Sequence, residues 1–177
     1  MKKIILLAVF LSPLLVYGQN PFPKDESGNI NFTFIVENNL NAKTLFRNAK
    51  SWIATSSLST ESRTYKPKIS MEDQSTGRII VDYEYYKYLP GSGLSESMTV
   101  SSSFRITFDF KDKKYRFKIE DYIDVLKYGN KEYVKTFYTL HDDYEKNENV
   151  SFVLKIKKFF IDISDSIQKS MSISDDF

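Results

Sequence analysis

Between residues 30 and 37 an apolar side chain recurs at every second position, with Ile30, Phe32, Phe34 and Val36 on one side and Asn31, Thr33, Ile35 and Glu37 on the other. A period of two predicts a half-buried strand. The period then changes. In "NNLNAKTLFRNAKSWIA" Asn41 is placed to cap a helix whose apolar set, Leu45, Ala49, Trp52 and Ile53, follows one helical face, widened by Phe46. Trp52 is the only tryptophan, and its place on that stripe predicts core packing rather than a grip on a ligand.

Period two returns over the next seventy residues. Tyr65, Pro67, Ile69 and Met71 share a parity, "DQSTG" supplies a turn near Ser75 to Gly77, and Ile79, Val81, Tyr83 and Tyr85 share a parity again. The loop "LPGSG" at 89 to 93 breaks the pattern. Met98, Val100, Ser102, Phe104, Ile106, Phe108 and Phe110 then mark the longest strand, and "KDKK" turns into Tyr115, Phe117 and Ile119. From 121 to 149 the periodicity weakens, and the span reads either as extra strand around a Gly-Asn turn or as irregular chain. From Val150 onward Phe152, Ile156, Phe159, Phe160, Ile163, Ile167 and Met171 give an amphipathic helix of about six turns. Its other face, Lys155, Lys158, Asp162, Asp165 and Lys169, reads as solvated. The order β-α-β-β-β-β-α predicts an α+β fold: a twisted antiparallel sheet with two helices on one face.

The 177 residues suffice for one domain with a real core. The first stretch, MKKIILLAVFLSPLLVYGQN, has two lysines, an apolar run to Tyr17, and then small Gly18 before polar residues. That layout predicts a signal peptide over 1–18, cleaved after Gly18. The run is shorter than the ~20 residues a span needs and contains Pro13, so no stable membrane anchor is expected once it is removed. No cysteine follows it to carry a lipid. Residues 19–28 then read as an N-terminal tether, 29–173 as a single domain and 174–177 as a tail. The expected location is the periplasm or the outside of the cell, in soluble form.

Composition removes several chemistries. With no cysteine, thiol nucleophiles, thiolate metal sites and disulfides are excluded. Removing Lys2 and Lys3 leaves 23 basic residues against 23 acidic ones, and a neutral chain without a long basic run argues against a nucleic-acid partner.

Three pieces, "AKTLFRNAKSWI", "DQSTGRIIVDY" and "FDFKDKKYRFKIEDY", resemble the pattern of a secreted bacterial family, domain of unknown function 4468, which is described as having a TATA-binding-protein-like fold. The resemblance spans roughly residues 30 to 125. It implies the fold and export, and carries no reaction and no catalytic residue. The fold name does not imply DNA, because function belongs to a site. An outer face of Thr33, Glu37, Asp82, Glu84, Thr107, Asp109 and Glu120, only balanced by Arg105, Arg116 and Lys118, presents acid where a phosphate backbone needs base.

His141 in "TLHDDYE" is the only histidine, and consecutive Asp142 and Asp143 cannot orient it as the third member of a triad, so it reads as a polar loop residue. His141, Asp142, Asp143 and Glu145 lack the spacing of a zinc or calcium loop and read as a solvated acidic loop. "GSG" at 91 to 93 opens no helix, so no phosphate cradle or other cofactor site is expected. What stands out is "DYEYYKYLPGSG", in which Tyr83 and Tyr85 take the core parity while Tyr86 and Tyr88 point outward or toward the strand end. Exposed tyrosines offer a large contact area at low entropy cost. Tyr86 and Tyr88, with outward-facing Arg105 and Arg116, are the binding candidates. The sequence therefore predicts a non-enzymatic binding module of the bacterial cell envelope, with an envelope protein or a surface glycan as partner. The alternative is a hydrolase-like enzyme acting on envelope carbohydrate or peptide through carboxylates that the sequence does not single out.

Overall fold

Strand β1 (Phe32–Glu37) and helix α1 (Ala42–Thr55) form where the two periods predict them, and Asn41 Oδ1 caps the helix by accepting from Thr44 N at 2.9 Å. Four strands follow: β2 (Lys66–Asp73), β3 (Arg78–Leu89), β4 (Met98–Lys111) and β5 (Lys114–Tyr128). The computed structural model describes residues 22–23, 30, 32–60, 62–91 and 96–173. The expected signal peptide, most of the tether and the tail lie outside the described residues. Phe22, within the segment read as a tether, is fully buried, with its ring 5.8 Å from Phe32 and 5.6 Å from Phe137.

The span left open at 121–149 is ordered. β5 runs on to Tyr128, a Gly129-Asn130 turn follows, and β6 (Lys131–Thr136) returns beside it and leads into helix α2 (Phe137–Glu145). Gly129 has φ 54°, a conformation that a side chain disfavours. Thr136 and Thr139 exchange the two hydrogen bonds of a capping box at the start of α2. His141 is therefore on a helix and buried rather than on a solvated loop, and Asp143 beside it is buried as well. Helix α3 (Val150–Met171) completes the chain.

Among the described residues six strands make one antiparallel sheet in the order β1-β5-β4-β3-β2, with β6 pairing the far half of β5. β1 lies beside residues 114–119 of β5 and β6 beside 123–128, so the two share one edge. Between those halves Asp121, at φ 57°, forms a bulge: Glu120 stands opposite Arg105 and Ile123 opposite Ser103. The bulge inverts the parity. Tyr115, Phe117 and Ile119 face inward before it, and Tyr122 and Asp124 face inward after it.

The helices cover the inner face. Leu45, Ala49, Trp52 and Ile53 of α1 and Val153, Ile156, Phe160, Ile163 and Ile167 of α3 meet Tyr83, Phe104, Ile106, Phe108 and Phe117 of the sheet. Trp52 lies edge-on to Tyr83 and Phe108 at 6.3 and 6.0 Å, and its Nε1 donates to Ser166 Oγ at 2.9 Å, so it joins α1 to α3 within the core. Phe104 stacks on Tyr83 at 5.1 Å and meets Phe160 edge-on at 5.3 Å. Each buried aromatic contributes about 1.5–3 kcal/mol by leaving water, and ring pairing adds up to about 1.5 kcal/mol more. This density of rings supplies what disulfides cannot.

Edge strand β2 departs from expectation. Its parity predicted a buried side, yet Ile69 and Met71 are 43% and 47% exposed, and only Tyr65, just before the strand, is buried. The pairing with β3 slips between Ile69 and Met71, which sends these side chains to opposite faces at an edge the helices do not cover. Pro67, two lysines and the bulge blunt that edge against pairing with other chains.

Candidate functional site

The outer face of the sheet divides into two regions. Over its first part, charges answer one another. Asp109 accepts from Arg78 at 2.7 Å and from Arg116 at 2.6 Å, and Arg105 bridges Asp82 at 2.7 Å and Asp121 at 3.1 Å. Lys118 meets Glu120 at 2.5 Å, and Thr107 donates to the same carboxylate at 2.9 Å. Partial burial works against the charged form of Asp109, but the Arg116 and Arg78 guanidiniums outweigh it and hold this carboxyl below its usual range.

Beyond the bulge the outer face changes character. In register, Tyr86, Ser101, Val125 and Val134 form one row across four strands. Glu84, Ser103, Ile123 and Thr136 form the row on one side of it, and Tyr88, Thr99, Lys127 and Glu132 the row on the other. Tyr86 is 69% exposed, Tyr88 55%, Val134 46% and Ile123 41%.

On the inner face the same level of the sheet carries a polar row: Tyr85, Ser102, Asp124 and Lys135. Arg63 reaches Asp124 at 2.9 Å and lies over the Tyr85 ring, Tyr65 and Ser102 share a hydroxyl bond of 3.0 Å, and Lys135 binds Asp143 of α2 at 2.5 Å. Burial opposes the Arg63 charge, but Asp124 outweighs it and raises the Arg63 pKa. Burial, reinforced by the Asp124 charge, pushes the neighbouring Tyr122 phenol up. Past this row Leu126, Tyr128 and Tyr133 are exposed, so the helices no longer cover the sheet and both of its faces are open.

The four sequence candidates therefore separate. Tyr86 and Tyr88 stand on the open end. Arg105 lies level with Asp82, about 13 Å down the strand from Tyr86, and Arg116 is farther still, opposite Asp109. Both arginines are held in ion pairs, so the structure does not join them to the tyrosines. Sequence reasoning missed Ile123, Val125, Tyr133 and Val134, because the bulge at Asp121 hides the parity of β5 and with it the strand that follows.

The inward acids Asp124 and Asp143 are each held by a cation. Glu145 Oε1 lies 2.9 Å from His141 Nε2 but off the line of an N–H bond, and neither ring nitrogen has an aligned partner. Among the described residues no three His, Asp or Glu side chains are grouped to hold a metal, and no helix is long and apolar enough to cross a membrane. A shallow cleft of about 390 Å³ at the start of α1 is lined by Asn41, Ala42, Lys43, Phe46, Gln74, Gly77 and Asp112. Two of its polar groups serve the fold: Asp112 Oδ1 accepts from Ala42 N and Asn41 Oδ1 from Thr44 N, each at 2.9 Å.

Strand order and a helix layer on one face define an α+β domain of the TATA-binding-protein-like class. Residues 32–123 match the family model described as Domain of unknown function (DUF4468) with TBP-like fold, and the chain belongs to that family. It is similar to the crystal structure of a DUF4468 family protein from Bacteroides ovatus, at 15% identity and TM-score 0.55, covering 92% of this chain and 97% of that one. It is also similar to a TBP-like protein from Parabacteroides distasonis, at 12% identity and TM-score 0.51, covering 86% of this chain and 97% of that one. No curated protein matches the chain. At these identities the likeness concerns the fold.

Proposed function

We propose that the protein is a non-enzymatic binding module of the bacterial cell envelope that engages its partner through the open end of its sheet. The observation that carries this reading is the concentration of exposed large apolar side chains there: Tyr86, Tyr88, Ile123 and Val134 on one face, and Leu126, Tyr128 and Tyr133 on the other. Contiguous exposed apolar surface costs solubility, and where it is kept it commonly marks a binding site. Export rests on the leader pattern of residues 1–18 and gives the module an envelope setting.

A photoreactive amino acid in place of Tyr86 or Tyr133, introduced in the native host, is the direct test. Irradiation should capture one reproducible envelope component from these positions and nothing from position 35, where Ile35 is equally exposed on β1 away from the open end. Equal capture from all three positions, or none, would sink the proposal.

A further inference from the structure

We infer that the outer face of the open end binds an uncharged polysaccharide chain, with Tyr86 and Tyr88 as the stacking platform. This rests on the binding-module reading and names its ligand class. Tyr86 and Tyr88 are two residues apart on one strand face, about 6.8 Å along the sheet, within the span of two neighbouring sugar rings. A sugar ring offers an apolar C–H face to an aromatic ring and a rim of hydroxyls to hydrogen-bonding neighbours. Both are provided here. Ser101 stands opposite Tyr86 and Thr99 opposite Tyr88, Ser103 is in the adjoining row, and Val125, Val134 and Ile123 extend the apolar surface. Tyrosine with serine is a pairing that gives rigid contact area together with adaptable hydrogen bonding.

Charge and area decide against other ligands. At the border of the face Glu84 stands opposite Lys66 and Lys127 opposite Glu132; on this outer face Arg105 is held between two aspartates, and Arg63 lies on the inner face against Asp124. The surface thus presents no excess of either sign to select a phosphate, a uronate or a nucleic acid. Four strands by three rows of side chains cover roughly 400 Å², about half of what each partner contributes to a stable protein interface, so this face alone does not hold a second copy or another folded domain. Such an area does accommodate a few sugar residues.

The test is affinity electrophoresis of the full chain through native gels cast with soluble neutral polysaccharides (a β-glucan, a mannan and a xylan) and, in parallel, with anionic polygalacturonate. Retardation by at least one neutral polymer is expected, persisting at high salt. It should disappear in Tyr86→Ala with Tyr88→Ala, survive in Tyr86→Phe with Tyr88→Phe, and be unchanged in Arg105→Gln and Arg116→Gln. Circular dichroism of each variant confirms that the fold is kept. Mobility unaffected by every neutral polymer, retardation by polygalacturonate alone that salt abolishes, or retardation that survives the alanine pair would each overturn the inference. Photo-crosslinking separates the two readings. A protein captured at position 86 with no retardation discards the glycan and leaves the binding module standing, whereas failure of both experiments removes both.

Discussion

Beneath α1 and α3 the sheet is packed on one face and charge-neutralised on the other: Phe104, Ile106 and Phe108 are buried inward, while Arg105, Asp109 and their partners close ion pairs outward. Past the row of Tyr85, Ser102, Asp124 and Lys135 neither treatment continues, and tyrosines and aliphatic side chains face solvent on both sides. One set of strands runs through both regions. The contrast therefore does not come from different backbones but from what is laid against them. In the covered region nearly every side chain has a partner within the chain, so its residue choices are explained by folding. In the open region they are not, and an account of those choices has to look outside the molecule.

The sharpest way to test this contrast is to remove one large side chain from the covered region. Phe104→Ala leaves a cavity among Tyr65, Tyr83, Phe159 and Phe160 and should cost about 3–5 kcal/mol, read as a fall in the urea midpoint. A cost below 1 kcal/mol would mean that the ring cluster is not packed as described.

The boundary row comes next. Asp124 is 8% exposed and neutralises Arg63, so Asp124→Asn strands a half-buried guanidinium and should cost about 3 kcal/mol. Combining it with Arg63→Met should recover much of that loss, because the stranded charge is gone. A strictly additive double variant would show that the pair is not coupled and that the row does not fasten the 56–65 segment to β5.

Much of this division was legible in the sequence, and the illegible part has a local cause. The helix stripe with Trp52, the Asn41 cap and the parity of β3 and β4 are each written in an unbroken period, and the structure follows them. β5 was readable only to Glu120. One residue in the left-handed region at Asp121 shifts the inward set from odd to even numbers, and a reader counting by two loses the strand there. β2 misled for the opposite reason, since its pattern looked half-buried while its edge position leaves nothing to bury it. Exposure of Tyr86 and Tyr88 followed from parity alone, but their neighbours on β5 and β6 did not. Sequence reasoning thus found one side of the candidate surface and missed the other.

Acid should loosen the charged region first. Hydrogen bonds from the Ser75 hydroxyl and then from Thr76 hold Asp73, the last residue of β2, at about 2 against an ordinary 3.8. Its folded value is lowered, so its contribution is complete above pH 3.8 and disappears as pH falls toward 2. Asp109, also lowered, adds to the same trend. Urea midpoints measured between about pH 2 and 6 should therefore slope less steeply in Asp73→Ala than in the wild type. Identical slopes would mean that the turn bonds are not formed in solution.

The smallest expected effect is also the most discriminating. Tyr86 and Tyr88 are more than half exposed and stand opposite Ser101 and Thr99 in the ladder of β3 and β4. Replacing both tyrosines with alanine should move stability by no more than about 0.5 kcal/mol per site, the ordinary range for surface positions, with a small loss of strand preference included. The same pair of substitutions is expected to abolish partner capture and glycan retention. A side chain whose removal leaves the fold intact but eliminates binding is held there by its ligand. If the double variant instead falls apart like Phe104→Ala, the open end is part of the folding core, and the contrast between the two regions collapses with it.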